Sequence, residues 1–282
     1  MRPRSLPMDS ATRPERRPDP HRLLRAAAAV LKALVLGTLW IVLSGMFLVM
    51  PPAAGGAWIA AVAGFFLWFH ASGRGPGGRR RQVLGRVRPV PRPARRWVGA
   101  FLLALPPAVL AMGVALAALG LMDEPVAGAF EAYARRPGGI VVLVAYGVGV
   151  APLLEEFVFR GWTQRPLERL FGAAWAIPVT SLLFALFHFE PEGLPIRLAG
   201  SLVMGYAVYA TRSIWAGVAL HAAWNGLLFA ADAAFRDFDP FGAGLAVALP
   251  AALVLLACAA WIVRAAPRLR AAARLSGAAE AA

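Results

Sequence analysis

The sequence predicts an all-α, polytopic membrane protein with about eight transmembrane helices. Three observations carry that prediction. Hydrophobic residues make up 59% of the 282-residue chain, and the mean hydropathy is +0.62. Charged residues make up only 16%, against roughly 25% in soluble domains. The cations also cluster between the apolar runs instead of being spread along them.

Taken in order, residues 1–25 are rich in Arg and Pro and read as a disordered, basic cytoplasmic tail. The apolar runs 26–50 and 57–71 give two N-terminal membrane helices. The Gly-, Pro- and Arg-rich stretch 72–96 reads as a flexible, basic cytoplasmic linker. A six-helix block, 97–264, follows, built on runs 97–122, 137–159, 171–189, 198–211, 213–231 and 241–263. Residues 265–282 form a second cytoplasmic tail. Runs 57–71 and 198–211 are short against the about 20 apolar residues a span needs. The charge pattern argues for keeping both. Twenty of the 29 basic residues lie before the first run, in the linker or after the last run. Eight spans with the N-terminus inside put all three clusters on the cytoplasmic face, as the positive-inside rule requires. The opposite loops, 123–136, 190–197 and 232–240, then hold eight acids and four Arg.

A net charge of +14 and a pI near 11.5 would point to nucleic acid in a soluble protein. The placement of the charge argues against that partner and for the bilayer, with anionic lipid at the basic loops. All but one of the basic residues are Arg, Lys32 being the exception. With the Ala, Gly and Pro bias, this looks like a high-GC prokaryotic genome and a protein of the cytoplasmic membrane. The single Cys258 excludes an intrachain disulfide or a CxxC metal site and reads as a packed hydrophobe.

An ionisable residue at membrane depth is a functional candidate by default. Three groups qualify. Glu155-Glu156-Phe157-Val158-Phe159-Arg160 follows an uncharged run; Glu156 and Arg160 stand i,i+4 and can pair. Glu155 is turned about 100° from Glu156 on a helix, so the two carboxylates need not share a role. Phe184-x-x-x-His188 ends another run, and His221-x-x-x-Asn225 puts two polar groups on one helical face. Each has a plainer reading: an interfacial ion cluster, a hydrogen-bonded histidine, an interhelical hydrogen bond. Helical rise connects the groups. If the first helix runs on to a turn at Phe171–Gly172, Glu155 and His188 both lie about 24–26 Å from that turn, level in an antiparallel hairpin. Pro166 could kink that helix and weaken the estimate. One carboxylate, two imidazoles and an amide could thus meet in a hydrated cavity open to the cytosol.

These motifs, with Phe159-Arg160-Gly161 and Leu167-x-x-x-Phe171-Gly172, resemble the CAAX protease and bacteriocin-processing (CPBP, or Abi) family, which includes the type II CAAX prenyl endopeptidases. The resemblance covers about 137–231. It implies an intramembrane endopeptidase acting on a membrane-anchored peptide or protein near the membrane surface. By that resemblance Glu155 activates the attacking water and His188 binds or orients it. His221 and Asn225 stabilise the oxyanion, while Glu156, Arg160 and Phe184 support the site. The general chemistry agrees: peptide hydrolysis needs a base, a water and donors for developing negative charge.

Rival chemistries are weighed on the same residues. Glu155, His188 and His221 would make a catalytic zinc set with water in the fourth position. No HExxH pair is present, and the metal-free reading is preferred, with no cofactor expected. The family has been described in both ways. No Gly-x-Ser-Gly nucleophile motif occurs, and Gly147-Val148-Gly149-Val150 lacks the Asp of an aspartyl intramembrane protease. A transporter would also keep buried Glu and His, but no inverted repeat is apparent. A non-catalytic scaffold or immunity protein on the same fold is the remaining alternative. The sequence does not specify the substrate or the oligomeric state.

Overall fold

The computed structural model describes residues 21–72, 89–119, 129–189, 191, 193–234 and 245–279. Most of the N-terminal tail, most of the linker, and Asp123, Glu124, Glu190, Glu192, Arg236, Asp237 and Asp239 lie outside them. Among the described residues the chain is helical and has no strand. We number the helices α1 (Arg22–Gly45), α2 (Pro52–Ser72), α3 (Arg92–Ala118), α4 (Ala129–Ala134), α5 (Gly139–Phe171), α6 (Ala173–Leu186), α7 (Leu194–Thr211), α8 (Ile214–Ala234) and α9 (Leu245–Ala279).

Among the described residues three helices are long and apolar enough to cross a membrane: α3, α5 and α9. They match the expected runs 97–122, 137–159 and 241–263. The runs at 57–71, 171–189 and 213–231 fall on shorter apolar helices, Pro52–Trp68, Ala173–Leu186 and Ile214–Ala230. α9 does not end with its apolar run but continues to Ala279. Ala-rich sequence favours the helix there, and Ala265, Leu269 and Ala272 are buried. The expected tail from 265 is therefore mostly helical.

α3 shows why these helices pack as they do. Ala94, Val98, Phe101, Leu105, Ala108, Ala111 and Ala115 are all buried. They recur at three- and four-residue steps, which places them on one stripe. Small residues let backbones approach closely, the main source of helix association where lipid is as apolar as the side chains. The α3 stripe meets α9, α7 and α8 in a core that includes Met204, Ala207, Leu220, Trp224 and Leu269.

The α1–α2 hairpin docks along α5. At one end, Arg136 donates to the Leu48 and Met50 carbonyls at 3.2 and 3.1 Å. Phe47 packs there on Tyr133 and Tyr146. Midway, the Phe66 ring meets Phe157 edge-to-face and lies tilted against Trp162. At the other end the Lys32 ammonium lies 4.5 Å over the Trp162 ring, and the Arg22 guanidinium lies 4.6 Å over Phe171. Gly37 faces the Phe187 ring so closely that a Cβ would sit 2.6 Å from it. α5 turns into α6 at Gly172, whose φ of +81° only glycine adopts without strain.

Candidate active site

α5 is not a uniform α-helix. It widens into π-helical stretches at Ala145–Val150 and Phe157–Gln164, and a proline follows each one, Pro152 and Pro166. A helix-interior proline lacks an N–H and clashes with a carbonyl one turn back. A π turn admits an extra residue and so relieves both problems without a sharp break; such bulges frequently mark functional sites. Glu155 and Glu156 lie on the α-helical segment between the two stretches.

Glu156 is fully buried. Arg160 Nε donates to its Oε2 at 3.2 Å, and His221 Nδ1 lies 3.3 Å from its Oε1. Arg160, also fully buried, donates from Nη2 to Ser201 Oγ at 2.8 Å and lies 5.4 Å over the Phe184 ring. Burying two charges is costly, and close geometry with extra hydrogen bonds offsets that cost. The pair expected from i,i+4 spacing is thus present, and it holds α5, α7 and α8 together. Gly217 on α8 makes this possible, since a Cβ there would stand 2.3 Å from Glu156 Oε2.

Glu155 meets the same imidazole from the other side. Its Oε2 lies 3.8 Å from His221 Nε2 and has no hydrogen-bond partner. Its side chain keeps 16% exposure, against none for Glu156. His221 is therefore flanked by two carboxylates at different nitrogens. With Nδ1 turned to Glu156, Nε2 faces Glu155, and the partner at one ring nitrogen sets what the other can do.

His188 lies just past the end of α6. Its Nδ1–H donates to the Phe184 carbonyl at 2.9 Å, which leaves Nε2 as the nitrogen free for a ligand. Phe189 beside it adopts φ +54°, an uncommon conformation for a bulky residue. Phe184 is the shared wall of the site. Its ring centroid is 4.8 Å from that of His188, 5.5 Å from His221 and 5.2 Å from Phe159. Asn225, one turn beyond His221, donates from Nδ2 to the Gly147 carbonyl at 2.7 Å. That carbonyl belongs to the first π stretch, and the bond ties α8 to α5.

The structure thus joins Glu155, Glu156, Arg160 and His221 directly and brings His188 to them through Phe184. Asn225 is engaged with the α5 backbone. Sequence reading missed Ser201, Gly217 and Gly147. A serine inside the apolar run 198–211 was a signal for the first; nothing local marks the two glycines.

A zinc site needs three protein donors around one ion at about 2.0–2.2 Å. Among the described residues no three His, Cys, Asp or Glu side chains gather in that way. Glu155 and His221 approach each other, but His221 Nδ1 is turned to Glu156 and His188 is not gathered with them.

Glu156, Arg160 and His221 are thus buried together among the apolar helices of an integral membrane protein, with Glu155 and His188 half-buried beside them. Residues 137–227 match the family model described as Rce1-like, type II CAAX prenyl endopeptidase Rce1-like. The chain therefore carries an Rce1-like domain of the CAAX protease type. The matched segment runs from α5 into α8 and holds Glu155, His188, His221 and Asn225, while α1–α4 and α9 lie outside it. No curated protein and no solved structure matches the chain.

Proposed function

We propose that this protein is an intramembrane endopeptidase that hydrolyses a peptide bond of a membrane-associated substrate near the cytoplasmic side. One observation carries the reading: of two adjacent carboxylates, Glu156 is buried and occupied, while Glu155 is partly exposed with an unpartnered oxygen facing His221.

Glu155 takes a proton from water, and the water oxygen attacks the scissile carbonyl carbon. His188 Nε2 orients that water. His221 Nε2–H and the second Asn225 amide N–H donate to the oxyanion. Glu156 faces Nδ1 and holds the His221 ring with Nε2 turned into the site. The C–N bond breaks as Glu155 passes its proton to the leaving amine, giving a free carboxylate and a free amine. General base catalysis contributes typically 10²–10⁴-fold, and one oxyanion donor about 10²–10³-fold.

The same reading takes the site as metal-free, the chain as eight spans with both termini cytoplasmic, and the basic loops as contacts for anionic lipid. The test uses the purified chain and a membrane-anchored peptide reporter, with products read by mass spectrometry. Glu155→Ala, His188→Ala and His221→Ala each abolish cleavage with helical content retained. Parental cleavage by Glu155→Ala removes the proposed base. No cleavage by the parental chain of any anchored reporter favours the non-catalytic scaffold.

A further inference from the structure

Among the described residues, six buried side-chain polar atoms lack a hydrogen-bond partner, and five of them are on α5 and α6. Apart from Glu155 Oε2, they are Arg160 Nη1, Gln164 Oε1, Thr180 Oγ1 and Ser181 Oγ. All four residues are fully buried.

Contacts place Arg160 and Gln164 along one seam, and helical position adds Thr180 and Ser181 to it. On α5, Arg160 and Gln164 are one turn apart. On α7, Ser201 and Gly205 are also one turn apart. Arg160 Nη2 donates to Ser201 Oγ at 2.8 Å, and Gln164 Nε2 donates to the Gly205 carbonyl at 2.9 Å. α6 closes the third side. Its Ile177 lies against Gly205 near Gln164, and its Phe184 lies against Arg160. Thr180 and Ser181 sit between those two on the same buried face of α6.

The orientation of the Gln164 amide is set by its neighbours. Nε2 serves two acceptors, the Gly205 carbonyl and Glu168 Oε1 at 2.8 Å. A flip would turn Oε1 onto both, so the orphan atom is an acceptor. Across from it, Arg160 Nη1 is purely a donor, and the two hydroxyls do both. Buried polar groups in folded proteins are nearly all satisfied, by protein or by ordered water. A donor, an acceptor and two hydroxyls in one seam match what a buried water bridges, typically two to four partners each.

The seam also has two meaningful ends. Arg160 leads through Glu156 to His221 and Glu155. Gln164 leads to Glu168, whose Oε2 lies 3.8 Å from the exposed Arg212. We propose that this seam is a file of buried waters. It runs from the Glu168–Arg212 end of α5 and α7 to the Glu155–His221 site and resupplies the hydrolytic water. Gln164, Thr180 and Ser181 act as positioning residues for those waters. The supply role rests on the protease reading; the hydration itself does not.

Radiolytic hydroxyl labelling of the full chain in nanodiscs tests both parts, because the radical forms from water already in place. Ile177 reports the seam, and Phe101, wholly buried in the apolar α3–α9 core, is the dry reference. Ile177 should oxidise well above Phe101. In Thr180→Val/Ser181→Ala, which removes both hydroxyls at nearly constant volume, that excess should be lost. Labelling of Ile177 at the Phe101 level in the parental chain overturns the water file, whatever the activity. With the anchored reporter, the double variant should lower kcat and leave KM unchanged. An unchanged kcat together with lost Ile177 labelling overturns the supply role and leaves the protease reading intact.

Discussion

Gly217→Ala adds one methyl group at the tightest point of the site. The new Cβ would stand 2.3 Å from Glu156 Oε2 and 2.7 Å from Val208 Cγ2. Optimal heavy-atom contact is about 3.5–4.0 Å, so α8 must retreat by about 1 Å or Glu156 must turn away. Glu156 is held by Arg160 and faces His221, and turning it out would break a buried pair at about 3–5 kcal/mol. Retreat of α8 is the cheaper response, at about 1–3 kcal/mol of overpacking strain. That retreat carries His221 and Asn225 away from Glu155, and a misplacement of about 1 Å can cost about 100-fold in rate. The assay is kcat and KM on the anchored reporter, with thermal unfolding in the same detergent. Gly226→Ala on the same helix is the control, because its Cβ would meet only Val148 at 3.8 Å, an ordinary contact. The reasoning predicts a kcat loss of about two orders of magnitude for Gly217→Ala and near-parental behaviour for Gly226→Ala. Equal kcat and equal unfolding temperatures for the two variants would refute it.

Three further outcomes follow from the same geometry. Asn225→Ala should lower both kcat and the unfolding temperature, because it deletes an amide donor and the bond to the Gly147 carbonyl; a kcat loss with unchanged stability would show that bond to be unimportant. Gly37→Ala, a substitution outside the Rce1-like segment, should reduce activity, since its Cβ would press on Phe187 beside His188 at 2.6 Å; full activity would mean α1 yields freely. Chelator treatment followed by metal analysis should leave the cleavage rate unchanged; activity lost and then restored by stoichiometric zinc would establish the metal-dependent mechanism instead.

Features set by composition and short-range spacing were legible in the sequence. The apolar runs located α3, α5 and α9, and the i,i+4 rule paired Glu156 with Arg160. The turn supposed at Phe171–Gly172 is present, and Gly172 makes it with a positive φ. Angular reasoning allowed Glu155 and Glu156 different roles, yet both carboxylates face His221 because they approach different nitrogens. Counting helical rise to compare the depths of Glu155 and His188 assumed a regular α-helix. The π stretch Phe157–Gln164 packs more residues into each turn, and α6 ends before His188. What stayed hidden depends on tertiary approach: Gly217 against Glu156, Gly37 against Phe187, Ser201 under Arg160. A glycine gives no local sign of which side chain its missing Cβ makes room for.

The division of labour between two neighbouring carboxylates is the centre of this account, and comparing Glu155→Gln with Glu156→Gln measures it most directly. Each variant is assayed for single-turnover cleavage and for thermal unfolding. Glu155→Gln should lose cleavage at an unchanged unfolding temperature, whereas Glu156→Gln should lose stability because Arg160 is left as a buried, unpaired charge. A Glu155→Gln protein that cuts at the parental rate, or a Glu156→Gln protein as stable as its parent, would contradict the assignment.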